Sequence, residues 1–374
     1  MRKVIMVCLA GLLIMGCKKA KKEEIVPGGR KWTLEIAEPV FAPLSYSDGV
    51  IYCATNEGNL YAIDKEGKII WSYEGEGAVS TAPVVYGSKV YYGTSEGYLY
   101  AVRKDSGKLV FQQDLSKPID ASIAVSGAKI IVPAGNEIYS VDTATGDLEL
   151  VYTAGGEIKS SPIVHNGIVY FGAEDGKLYA IKTDGTKQWE FDAGSPIRTS
   201  PAIDENGNIY FGTFDGIFYC LNSGGNVVWA DTISSCIQSS PIVWGNCVCF
   251  GANDAKIRVY SSGKLLWEFS TDTLASTFII CSPAITADSV IYVGNSLGKI
   301  CAIKNDSLEW SWTADGAVHS APLITPDSMA YFGSMGGEIW AIKTAAGIMK
   351  TTCPMFRCNP QRTGNITTSK GKIF

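Results

Sequence analysis

Residues 162–192 read PIVHNGIVYFGAEDGKLYAIKTDGTKQWEFD. Short runs of β-branched and aromatic residues alternate with Asn-Gly, Ala-Glu-Asp-Gly and Thr-Asp-Gly, which are turn signals. The segment predicts four strands, at 162–167, 168–172, 177–181 and 188–191. Glycines at the breaks supply the positive φ that tight hairpins require. No ten-residue run of helical period occurs beyond the amino terminus.

The unit recurs along the chain. Trp71 precedes Pro83, Trp189 precedes Pro201, Trp229 precedes Pro241 and Trp310 precedes Pro322 by the same twelve positions. Trp32 precedes Pro43 by eleven and Trp267 precedes Pro283 by sixteen, a small deletion and an insertion. Self-similarity at about 40 residues marks a repeat architecture. Eight units begin near Pro43, Pro83, Ser122, Pro162, Pro201, Pro241, Pro283 and Pro322. The third is degenerate: Ser122 takes its proline slot and Phe111 the preceding tryptophan slot, while Leu150 fills that slot before unit four. The pair Gly93/Gly97 returns as Gly172/Gly176, Gly212/Gly216, Gly294/Gly298 and Gly333/Gly337, bracketing the second hairpin turn.

A four-stranded antiparallel unit cannot bury both faces alone and must stack on its copies. Radial stacking predicts an all-β, eight-bladed β-propeller. The recurrent Trp then serves as an inter-blade wedge. Unit eight lacks a fourth strand, whereas a solitary strand at 31–36 precedes unit one. The amino-terminal strand is therefore expected to complete blade eight, with Trp32 beside 338–342.

Arg2-Lys3, an apolar run of about a dozen residues and Gly16-Cys17 have the layout of a secretory signal, too short for a permanent span. Leu13-Ile14-Met15-Gly16-Cys17 resembles a bacterial lipobox, which implies cleavage after residue 16 and acylation of Cys17. The alternative is an ordinary signal with an incidental cysteine. The expected organisation is a signal peptide at 1–16, a lipidated cysteine and charged tether at 17–30, a propeller at 31–364 and a tail at 365–374. Lys18 after the cysteine favours the outer membrane.

A net charge of −5 argues against a nucleic-acid partner. Forty glycines and only 18% charged residues suit many short strands. Of eleven cysteines, Cys53, Cys220, Cys247, Cys249 and Cys301 fall in strand slots as small hydrophobes. Cys353 and Cys358 are the one pair placed for a local disulfide. No CxxC pair exists, so no metal site is expected. Of the two histidines, His165 reads as solvated at an Asn-Gly turn.

The repeat core, with Leu178-Tyr179-Ala180-Ile181, an Asp-Gly turn, Lys187 and Trp189, resembles the PQQ-like β-propeller repeat family. That family includes quinoprotein alcohol dehydrogenases and BamB-type lipoproteins of outer-membrane barrel assembly. Residues 354–364, PMFRCNPQRTG, look like its terminal motif, with Cys353 where a Trp usually stands. The resemblance covers 31–364 and implies the fold more than the function. Quinoprotein relatives use vicinal cysteines, calcium ligands and an Asp base, and no matching set is found. The expectation is a non-enzyme without a cofactor, PQQ being the alternative.

In a four-stranded blade the loop leading into the first strand and the second hairpin turn share a face. There the residue three before each Pro stands near the channel: Ser80, Lys159, Arg198, Gln238 and His319. Lys159, Arg198, Gln238 and His319 are the candidate binding residues. Thr81, Ser160, Thr199, Ser239 and Ser320 follow them, and Glu57, Glu96, Glu174, Asp175, Asp215 and Asp254 form an acidic rim around a basic arc. The alternative is that the hydroxyls bond turn amides and the charges are ordinary surface. The function this implies is a monomeric, lipid-anchored scaffold binding envelope proteins, including the barrel-assembly machinery. Its place is the outer membrane facing the periplasm, or the cell surface. A ligand-sensing or quinoprotein-like redox propeller is the rival.

Overall fold

The computed structural model describes residues 26–351, 353, 355–359 and 362–366. The signal, Cys17 and most of the tether lie outside them. The described residues form eight antiparallel sheets and no helix. The chain is an eight-bladed β-propeller. The quoted repeat becomes strands Ile163–His165, Ile168–Gly172, Lys177–Lys182 and Lys187–Asp192.

Closure follows from pairing. Strand Arg30–Glu35 lies antiparallel to Glu338–Lys343, with Trp32 opposite Ala341. That pairing gives blade eight its outer strand from the opposite end of the chain and closes the ring. The wedge is equally concrete. A Cβ on Gly225, in the third turn of blade five, would stand 2.8 Å from the Trp189 ring of blade four. The Trp189 Nε1–H donates to the Ser223 carbonyl in that turn at 3.0 Å. Trp32 faces Gly67, Trp71 faces Gly107, Phe111 faces Gly146 and Trp229 faces Gly263 in the same way. Trp310 meets Gly28, so the amino-terminal segment supplies blade eight with its turn glycine as well as its strand.

Four sequence expectations are corrected. Leu150 is 51% exposed and is not a wedge. The bulge in blade three falls two residues earlier than elsewhere, between Ile138 and Tyr139, so Leu150 pairs with Tyr139 rather than Ser140, and Val151 backbone meets Gly185 instead. Ser122 is not in the proline slot; Ile123 is, because its carbonyl accepts from Arg357 as that of Pro162 does. Cys247 is only partly buried, unlike Cys53, Cys220, Cys249 and Cys301. The first glycine of each bracketing pair serves close approach, not positive φ. A Cβ on Gly172 would fall 2.2 Å from Ile197 Cγ2, whereas Gly176 has φ +82°.

Two further devices fasten the ring near its axis. The residue before each proline-slot residue is Ser or Ala, and where it is Ser its hydroxyl accepts from an amide of the previous blade. The Ala82 amide donates to Ser122 Oγ, Ser122 to Ser161, Ser161 to Ser200, Ser200 to Ser240 and Ser240 to Ser282, at 2.8–3.1 Å. The second device is the carboxy-terminal segment, which crosses the channel. Cys353 pairs with Val243, Met355 with Ala284 and Asn365 with Val164, giving blade four a short parallel fifth strand beyond the four expected.

Candidate functional site

The Ile197 amide donates to the Ala173 carbonyl at 3.1 Å, which ties the loop leading into blade five to the second turn of blade four. The same bond joins Ile237 to Thr213 and Val318 to Asn295. These loops and turns share one face, as up-and-down connectivity requires. Their centre is a cavity of about 180 Å³, the mouth of the channel. Lys159, Arg198, Gln238 and His319 all line it, and so does Ser80. His165 ends a first strand, at the opposite face.

The mouth has two unlike halves. On one, Lys159 Nζ lies 2.6 Å from Asp120 and 3.2 Å from Glu157. Burial lowers the ammonium pKa, but the two carboxylates outweigh it and hold it above the ordinary value. The Arg198 guanidinium makes a bidentate pair with Glu174, at 2.8 and 3.0 Å, and lies 4.5 Å over the Phe214 ring. The expected basic arc is thus internally neutralised. Asp175 accepts from Tyr179, Asp215 from Thr213 and Asp254 from Arg258, so three of the six rim acids are also satisfied within their own blades.

The other half is apolar. His319 packs between Phe41 and Phe278, with ring centroids 5.4 and 5.9 Å away. Neither ring nitrogen has a hydrogen-bond partner, and burial lowers its pKa. The imidazole is therefore neutral at pH 7. Ile280 and Phe356 complete this side.

The hydroxyls two before the proline slot do not face the mouth. Thr199 donates to the Gly212 carbonyl at 2.8 Å, and the Gly172 and Gly251 amides donate to Ser160 and Ser239 at 3.1 Å. Thr199 and Ser160 are buried fasteners within a blade, Ser239 also donates to the Cys281 carbonyl of the next blade at 3.0 Å, and Ser320 Oγ has no hydrogen-bond partner. Sequence reasoning missed Asp120, because placing Ser122 in the proline slot moved the mouth position to Ile119. It also missed Phe41, displaced by the eleven-residue spacing, and Phe356, which arrives from far along the chain.

The donor set does not fit an anionic quinone with a metal. Both mouth cations are already neutralised, and the described residues contain no group of three or more His, Cys, Asp or Glu placed to hold a metal ion. The described cysteines include no adjacent pair.

The profile of the outer membrane protein assembly factor BamB matches residues 26–104, 95–261 and 253–350. The chain belongs to this family. Among solved structures, BamB from Moraxella catarrhalis superimposes with a TM-score of 0.72 at 17% identity, covering 84% of this chain and 99% of that one. The quinohemoprotein alcohol dehydrogenase from Comamonas testosteroni gives 0.70 at 14% identity, covering 85% and 76%. These identities bear on the fold alone. A quinoprotein ethanol dehydrogenase of Pseudomonas aeruginosa is 30% identical over 121 residues, 30% of this chain. The chain spans 18% of that relative's length.

Proposed function

We propose that this chain is a non-catalytic scaffold of the bacterial cell envelope that holds an envelope-protein partner at the mouth. The observation that carries the reading is the internal neutralisation of Lys159 and Arg198. A catalytic acid, base or cofactor clamp needs a group whose charge is available to the reaction. Here the charges hold loops in place and leave a shaped surface, half aromatic and half polar, suited to a protein loop. Membership of the BamB family supports barrel-assembly components as the partner class.

Acylation of Cys17 would fix the orientation. Strand Arg30–Glu35 begins beside Lys343, where the Gly28 amide donates to the Lys343 carbonyl at 2.8 Å. That end of the blade is opposite the mouth. A tether leaving there would turn the mouth away from the membrane, toward the periplasm for an outer-membrane anchor.

Pull-down of the acylated chain from native membranes tests the reading. Lys159→Glu with Arg198→Glu places like charges beside Asp120, Glu157 and Glu174, and abolishes partner recovery while the chain stays folded. An unchanged partner profile sinks the proposal. The 121-residue match to a quinoprotein dehydrogenase favours a second reading, binding of PQQ. Addition of PQQ and calcium separates the two: the scaffold reading predicts no absorption change and no dye reduction.

A further inference from the structure

Charge is unevenly distributed over the second turns of the blades. The residue before the closing glycine is Glu57 in blade one, Glu96 in blade two, Asp175 in blade four and Asp215 in blade five, and Asp254 stands before Ala255 in blade six. In blade seven the position is Leu297, and in blade eight it is Gly336. Among the described residues Glu57, Glu96, Asp175 and Asp215 form no ion pair. Tyr179 and Thr213 donate to Asp175 and Asp215 as neutral hydroxyls, which leaves the charge uncancelled. Lys117, Lys159, Lys177, Arg198, Lys256 and Arg258 on the same face each meet a carboxylate, and Lys299 is held by the Thr271 carbonyl at 2.9 Å. The mouth is therefore ringed by an arc of negative charge that breaks at blades seven and eight.

The apolar half of the mouth begins at that gap. The Ser296 amide donates to the Phe278 carbonyl at 3.1 Å and the Phe278 amide to Ser296 Oγ at 3.1 Å, so the turn bearing Leu297 holds the loop bearing Phe278. The Met335 amide donates to the Ala317 carbonyl at 2.8 Å, which fastens the equivalent turn of blade eight to the loop bearing His319. Leu297 is 43% exposed and marks the outer end of a lane that runs inward past Phe278, His319 and Phe41. Phe356, in the loop closed by the Cys353–Cys358 disulfide, is its inner end. His319 is neutral and brings no positive charge into the lane.

We propose that the mouth recognises a protein segment with a central apolar side chain flanked by lysines or arginines. The apolar side chain enters the lane, and its burial against Phe41, Phe278 and Phe356 is the anchor. The flanking cations meet the acids of blades one, two, four and five, which steer the approach and reject segments of the opposite sign. The same acids repel phosphate, so neither a nucleic acid nor an anionic lipid surface fits. Lys159 and Arg198 seat the loops through Asp120, Glu157 and Glu174 and are not what the segment reads. The inference rests on the scaffold reading and names the chemistry of its partner.

Fluorescence anisotropy with the purified full chain tests it. The probes are short labelled peptides: leucine and phenylalanine flanked by lysines, the same pair flanked by glutamates, and a serine pair flanked by lysines. The lysine-flanked apolar peptide is expected to bind about tenfold or more tighter than either of the others, and to weaken as salt is raised. Glu57, Glu96 and Asp215 are exposed. Glu57→Gln, Glu96→Gln and Asp215→Asn together keep the side-chain shapes and should remove the preference for lysine over glutamate while the chain stays folded. Equal binding of the lysine and glutamate peptides, equal binding of the apolar and serine peptides, or no binding of any of them overturns the proposal. If an envelope partner is still recovered from membranes, those results leave the scaffold reading standing. A lysine preference with no partner recovered sinks the scaffold reading instead.

Discussion

The Arg362 Nε–H donates to the carbonyl of Leu44, 318 residues away, at 2.9 Å. Its Nη2 donates to Pro322 at 2.9 Å and Ala321 at 3.2 Å. Leu44 leads into blade one and Pro322 into blade eight, so one side chain spans the junction between the last blade and the first. The ring is closed twice: at its outer edge by the strand bearing Trp32, and at its axis by this guanidinium.

Arg362→Ala is expected to cost about 3 kcal/mol or more, since several buried carbonyls lose their donor together. Arg362→Lys should recover only part, because one ammonium cannot reproduce the planar fork. Urea unfolding followed by circular dichroism gives both values, and a midpoint unchanged in Arg362→Ala would show that the axial closure contributes nothing.

The wedge yields a contrast. Trp189→Ala should cost about 2–4 kcal/mol, and Gly225→Ala about 1–3 kcal/mol, because the new methyl meets the ring at a φ of +82°. Leu150→Ala, at a position with the same sequence spacing, should stay within about 0.5 kcal/mol. Equal losses at Trp189 and Leu150 in thermal unfolding would refute the assignment of Val151 to that junction.

Ser200→Ala removes the acceptor of the Ser161 amide in a buried belt. The expected loss is about 1–2 kcal/mol, most of it the desolvated N–H left behind. The same substitution at exposed Ser106 serves as the control and should be silent.

His319 supplies the pH dependence. Its pKa is lowered by burial, so the unfolded chain binds the proton more readily. Its contribution is therefore fully present above about pH 6.5 and is lost as pH falls through the folded value. His319→Phe should lose less stability than the native chain between pH 7 and 5. Parallel denaturation midpoints across that range would show that the ring is not held neutral by its phenylalanine neighbours.

Blade number, closure and the wedge were legible because each rests on local chemistry repeated at a fixed period. Turn glycines, β-branched runs and one tryptophan per unit announce themselves. What escaped was set by partners remote in sequence. Asp120 went unread because the Ser122 assignment put the mouth position at Ile119, and only the Ile123 carbonyl fixes the register of blade three. Leu150 has the right spacing, but a bulge moved by two residues shifts its pairing and turns it to solvent. The mouth position of Lys159, Arg198, Gln238 and His319 followed from connectivity alone; their neutralisation by Asp120, Glu157 and Glu174 did not. Phe356 and Arg362 were hidden most completely, since a terminal segment gives no local sign that it will occupy the axis.

The central claim is that the mouth is a protein-binding surface, and photo-crosslinking in intact cells tests it most directly. With a benzophenone side chain at Gln238 or His319, both positions should yield the same envelope-protein adduct, and Ser88 on the opposite face should yield none. The adduct should disappear in the Lys159→Glu, Arg198→Glu background. Absence of any adduct from both mouth positions, or adducts indifferent to that charge reversal, would contradict the account.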